Sequence, residues 1–150
     1  MVNLNLPSFA HKVQKVQGKA VIFDIVRKKY VALTPEEWVR QHLLHFLINH
    51  LAYPKALIKV EGGLKYNTLA KRTDLVIFDR HGKPLIVVEC KSFKVPISQK
   101  VFEQSSLYNS TLQASYLLVS NGIEHYCCRV NHQTKSFSFL DTLPRYEEIL

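Results

Sequence analysis

Leu85-Ile86-Val87-Val88 is apolar at every position and runs directly into Glu89-Cys90-Lys91. A branched apolar run without polar alternation predicts a central strand covered on both faces, so the chain must build layers above and below a sheet. Two segments can supply those layers. Thr34-Pro35-Glu36-Glu37 opens the first as a helix start, with Thr34 as N-cap, Pro35 in the first turn and Glu37 completing a capping box. That helix is expected to reach about Leu51, with Val39, Leu43, Phe46, Leu47 and His50 or Leu51 on one face. The second helix is expected over 98–112, with Val101, Phe102, Ser105, Leu107 or Tyr108, and Leu112 near one face. Between the helices the period changes to two, and residues 57–61, 73–78 and 85–90 read as strands. His81-Gly82-Lys83 makes the turn that pairs the last two. Residues 20–26 and 30–33 read as an early hairpin with a basic turn. Residues 115–119 form a buried strand ending at Ser120-Asn121-Gly122, and 124–130 with 136–140 a closing hairpin. This order predicts an α/β (α+β) fold in one domain, a central mixed β-sheet flanked by helices, with extra N- and C-terminal hairpins. The domain spans 19–150, and residues 1–18 are expected to be loose.

A chain of 150 residues holds one core of useful size and no second comparable one. Its net charge of +8 is unevenly placed, at +4 over residues 1–50, +6 over 51–100 and −2 over 101–150. Such a balance favours a polyanionic partner and points to nucleic acid. The cysteines are Cys90, Cys127 and Cys128, an odd number without a CxxC spacing, which argues against a disulfide framework or a thiolate zinc site. No apolar run approaches the roughly 20 residues that span a bilayer, and no signal-peptide core is visible near Met1, so no membrane is expected and the protein reads as cytoplasmic.

Chemistry concentrates around the central strand. Glu89 and Lys91 stand two apart and share one strand face, whereas Val88 and Cys90 face the other way. Asp74, near the end of the paired strand, would bring a second carboxylate. Two carboxylates and the Cys90 carbonyl suit a hard cation bound by oxygen, which can polarise a phosphodiester and lower the pKa of water. Lys91 would then orient or deprotonate that water, or stabilise charge on the phosphate. A bare Glu-x-Lys is more often a solvated surface pair. In an otherwise apolar central strand, a charged pair needs a partner or a function.

Asp74, fourteen intervening residues and Glu89-Cys90-Lys91 resemble the D-(x)n-(D/E)-x-K signature of PD-(D/E)XK nucleases. Residues 71–78, Gly82-Lys83-Pro84 leading into 85–91, Phe102-Glu103-Gln104 with Tyr108-Asn109, and Ser120-Asn121-Gly122 are similar to the N-terminal nuclease domain of type I restriction enzyme R subunits. With Leu33-Thr34-Pro35-Glu36-Glu37-Trp38-Val39-Arg40-Gln41, the resemblance covers the chain from about Phe23. It implies a restriction-endonuclease-like core with Asp74 and Glu89 as metal ligands and Lys91 as the catalytic lysine. Gln104 and Tyr108 match a Q-x-x-x-Y element; one helical turn apart, they share a face and could reach water or DNA near the site. Tyr108 reads equally well as a core aromatic. Glu37 matches a first-helix glutamate that serves as an additional metal ligand, against its reading as the capping-box residue. Arg40 and Gln41 could face the site, with Arg40 a contact to DNA, or be solvated. Arg72, two before Asp74, could grip a phosphate. Glu61 could add a carboxylate or lie on the surface. His42, His45 and His50 read as residues of an amphipathic face.

Thr73 stands where the signature has proline, and the chain has no GxxxxGK[ST] phosphate loop, so the translocase of type I R subunits is not encoded in it. The expectation is a Mg2+- or Mn2+-dependent DNA endonuclease that acts alone or with restriction-system subunits, and a homodimer is compatible with it. The rival is a non-catalytic nucleic-acid-binding or restriction-complex assembly module on the same fold.

Overall fold

The computed structural model describes residues 2–60 and 74–149. Glu61, Arg72 and Thr73 therefore lie outside the described residues. The chain opens with an antiparallel meander of β1 (Val13–Val16), β2 (Lys19–Asp24) and β3 (Lys29–Ala32). The expected hairpin is thus a three-stranded sheet, and the first 18 residues, expected to be loose, contain its first strand. Gln17 and Gly18 at the β1–β2 turn both have positive φ, 53° and 79°. That is the backbone of a two-residue turn whose twist matches the flanking strands.

Helix α1 (Pro35–Asn49) follows, with Thr34 Oγ1 accepting from the Glu37 N–H at 3.0 Å. The main sheet comprises β4 (Ile58–Val60), β5 (Leu75–Phe78), β6 (Pro84–Cys90), β7 (Tyr116–Ser120), β8 (His125–Asn131) and β9 (Ser136–Leu140), in that spatial order. All neighbours are antiparallel except β6 and β7, which run parallel. A parallel pair needs a crossover, and α2 (Gln99–Leu112) provides it, starting at the Ser98 cap. The expected closing hairpin is the β8–β9 edge of this sheet.

The alternation of strand residues between two apolar clusters produces the layers. Val39, Leu43, Leu44 and Leu47 of α1 pack with Leu75, Ile77, Ile86, Val88, Cys90 and Leu118. On the other face, Val87, Leu117, Val119 and Cys128 pack with Val101, Phe102 and Leu112 of α2. The central strand is covered on both sides, as its composition requires. All three cysteines are buried free thiols, with Cys127 and Cys128 in opposite clusters. Among the described residues, no helix is long and apolar enough to cross a membrane.

Candidate active site

The β5–β6 register pairs Leu75 with Val88. Just before that pair, Asp74 lies beside the end of β6: its N–H donates to the Val88 carbonyl at 3.1 Å. Asp74 and Glu89 are both buried, at 8% and 7% exposure. Asp74 Oδ2 accepts from the Cys90 N–H at 2.6 Å and Oδ1 from Arg40 Nη2 at 2.5 Å. Burial pushes the Asp74 carboxyl up, while Arg40 and the Cys90 amide act in the opposite direction. Glu89 has less support. Its Oε1 lies 3.3 Å from Lys91 Nζ, and its Oε2 is buried without a hydrogen-bond partner. Burial first, then the charge of Asp74, raises the Glu89 carboxyl to about 8 against the pull of Lys91. Both carboxyls of the pair are thus raised, each by its own burial, and Glu89 also by the charge of Asp74.

Arg40, read from the sequence as a DNA contact, is an internal counter-ion. Besides Asp74, it bonds Glu37 Oε1 through Nη1 at 2.5 Å and lies 3.6 Å from Glu36. Glu37 is the hub of the adjoining network. Its carboxylate also accepts from Arg27 Nη2 at 3.2 Å and Gln41 Nε2 at 2.9 Å. Thr34 forms its half of the capping box, but the Glu37 carboxylate is taken up by side-chain donors, which leaves it neither a cap nor a free ligand. Gln41 is fully buried rather than solvated, and it links Glu37 to Asp24 at 3.0 Å. Asp24, also fully buried, accepts from the backbone of Val26 and Arg27 and from Arg27 Nε, each at 2.8 Å. Burial pushes its carboxyl up, and these donors together outweigh burial and hold it below its ordinary value. Sequence reading missed Asp24 and assigned Arg27 only to a basic turn. The available signal was an acid three residues before an arginine at a strand end, the composition of an Asx turn.

Three further motifs resolve into distinct jobs. Gln104 is half-buried on α2, and its amide makes no hydrogen bond among the described residues. Tyr108 lies in the same helix, but its side chain is outside what the structure describes. Asn109 is structural, since its side chain bonds both the N–H and the carbonyl of Ala114 past the helix end. Asn121 does more than turn the chain. It accepts from the Ile123 and Glu124 N–H groups and donates to the Val95 carbonyl at 2.8 Å. Together with the Lys91 N–H bond to the Ser120 carbonyl at 2.8 Å, this anchors the loop that leaves Lys91.

Among the described residues, no group of three or more His, Cys, Asp or Glu side chains is placed to hold a metal ion. The donor set on offer is two carboxylates on adjacent strands, one with an unpartnered buried oxygen. Mg2+ is commonly bound by one or two carboxylates with water and substrate phosphate completing the shell, so the residues fit such an ion.

A family model described as "Type I restriction enzyme R protein N terminus (HSDR_N)" matches residues 35–144. Among solved structures, the chain is similar to one described as a fragment of an HsdR subunit of a type I restriction enzyme from Vibrio vulnificus YJ016, with a TM-score of 0.53 and 20% identity. That match covers 78% of this chain and 24% of the other, so the chain spans about a quarter of the length of its structural neighbour. No curated protein matches it.

Proposed function

The chain belongs to the family of type I restriction enzyme R protein N termini, and from that premise we propose that it hydrolyses DNA phosphodiester bonds with Mg2+ or Mn2+ held at Asp74 and Glu89. The observation that carries this reading is the buried pair of carboxyls at the ends of two adjacent strands, with Glu89 Oε2 unpartnered and Lys91 beside it. A buried carboxylate oxygen without a protein partner is costly unless water or an ion satisfies it.

Asp74, Glu89 and the Cys90 carbonyl are the oxygens that would hold the cation. Once bound, a divalent cation supplies Lewis-acid polarisation of the phosphoryl group and acidifies water. The chain's own groups do the rest. Arg40 and the Cys90 amide fix both Asp74 oxygens, so this carboxylate is held in one orientation. Lys91 Nζ is placed to orient the attacking water or to donate to a phosphate oxygen as charge develops. Hydrolysis joins the water oxygen to phosphorus and releases the ester oxygen with a proton. Gln104, with its uncommitted amide, is assigned to water or DNA near the reacting group, and Tyr108 and Arg72 to DNA. DNA and other restriction-system subunits are the proposed partners.

Purified protein is expected to nick supercoiled plasmid with Mg2+ or Mn2+ and to stop in EDTA. Lys91→Ala and Asp74→Ala should abolish nicking while circular dichroism stays unchanged, and undiminished nicking in either variant overturns the assignment. A non-catalytic nucleic-acid-binding or assembly module is the second reading. Arg40 favours it, because its guanidinium already neutralises Asp74 without a metal. That reading expects DNA binding that is indifferent to EDTA and Asp74→Ala, with no cleavage.

A further inference from the structure

The sheet face that carries Glu89 continues past the site. The registers align Glu89 with Val119 and Val119 with Tyr126, so these residues form one row across β6, β7 and β8. Two strand spacings separate Glu89 from Tyr126, about 10 Å, which is the rise of about three stacked nucleotides. At that end of the row, a groove of 280 Å³ is lined by Ile97, Ser98, Gln99, Phe102, Tyr126 and Phe139. Its aromatic rings are unusually open, with Phe139 59% and Tyr126 38% exposed. Phe102 packs on Phe139 at 5.3 Å between centroids and on Phe137 at 5.5 Å. The Tyr126 hydroxyl donates to Glu124 at 3.1 Å, which fixes the ring. The segment joining the site to the groove, residues 91–102, carries Lys91, Lys94 and Lys100 and no acid. Both Lys94 and Lys100 are exposed.

Exposed aromatic faces reached by a basic segment, on the same sheet face as the proposed phosphodiester site and edged by Glu103 and Glu124, match the two requirements of single-strand recognition: stacking platforms for bases and a basic path for the backbone. We propose that the groove stacks an unpaired nucleobase of a DNA strand whose backbone passes Lys100, Lys94 and Lys91 toward Asp74 and Glu89. The strand's course toward the carboxylates rests on the nuclease reading; the stacking itself does not. A base inside an intact duplex has no free face to offer, so the groove selects frayed, gapped or single-stranded substrate.

The test is anisotropy of a fluorescein-labelled oligothymidylate of about ten nucleotides, in EDTA, with no cleavage involved. The Tyr126→Ala, Phe139→Ala double variant should weaken binding by about tenfold or more, with Tyr126→Phe within about twofold of wild type. A blunt duplex of mixed sequence should bind both proteins equally. Both side chains are exposed, and a thermal melt checks that the variant folds. Wild-type affinity in the double variant, or an equal loss on duplex, overturns the proposal. So does a wild-type dimer by light scattering that Phe139→Ala dissolves while single-strand binding is absent. If the aromatic dependence holds but plasmid is not nicked, the shelf stands and the nuclease reading falls; nicking without aromatic dependence is the reverse.

Discussion

Glu89 combines a buried carboxyl, an oxygen with no partner and a lysine at 3.3 Å, and this makes its charge sensitive to pH. Folding raises it from an ordinary 4.5 to about 8, so the folded state holds the proton more tightly than the unfolded chain. Its contribution to stability is full below about pH 4.5 and is lost as the pH rises through 8. Glu89→Gln is uncharged at every pH and escapes that loss. Urea denaturation in EDTA is expected to show the variant gaining about 1–3 kcal/mol on wild type between pH 5 and pH 9. A difference that does not change with pH overturns the burial argument. Asp74, Glu89 and Lys91 were legible in the sequence because strand alternation and a short turn suffice to bring them together. Arg40 and Asp24 were not. Their roles depend on which side of α1 meets the end of β5, and on a turn in a separate sheet, and neither is encoded in local spacing.

At the scale of elements, α1 tests whether the capping motif or the network governs Glu37. In a simple capping box, Thr34→Ala would cost about 1 kcal/mol and Glu37→Gln little, because glutamine serves equally at that position. In this structure Thr34 caps through its hydroxyl alone, while the Glu37 carboxylate takes Arg27, Arg40 and Gln41. Removing its charge takes one anion from two partly buried guanidinium groups, which keep Asp24 and Asp74. Glu37→Gln should therefore cost about 3 kcal/mol and Thr34→Ala about 1 kcal/mol in chemical denaturation. A Glu37→Gln cost well below that of Thr34→Ala would return Glu37 to the role of a cap. The helices and the main strands were legible from their periods, since each buries a face and composition records burial. Strand β1 was not, because all four of its residues are exposed. It pairs through backbone alone, and only Gln17-Gly18 marks it.

For the whole molecule, the +8 charge and the aromatic shelf contribute separable terms to DNA affinity. The basic excess lies in residues 1–100, whereas Tyr126 and Phe139 belong to the acidic last third. Electrostatic attraction to phosphates releases counterions and gives affinity a slope against salt, whereas stacking on an aromatic ring changes affinity with little effect on that slope. The layered fold joins the two, because the crossover from β6 to α2 carries Lys91, Lys94 and Lys100 and packs Ile97, Val101 and Phe102 on the cluster that contains Val119. Net charge alone indicated a polyanion. The course of the charge could not be read from the sequence, since it depends on which strand lies beside β7. Single-strand binding measured from about 50 to 200 mM salt should lose about 1.4 units of log–log slope in the Lys94→Gln, Lys100→Gln double variant, at about 0.7 per phosphate contact. The Tyr126→Ala, Phe139→Ala variant should shift the line downward in parallel. A lysine variant with the wild-type slope would place the backbone elsewhere on the surface, and an aromatic variant with a reduced slope would mean that the shelf acts by orienting those lysines rather than by stacking.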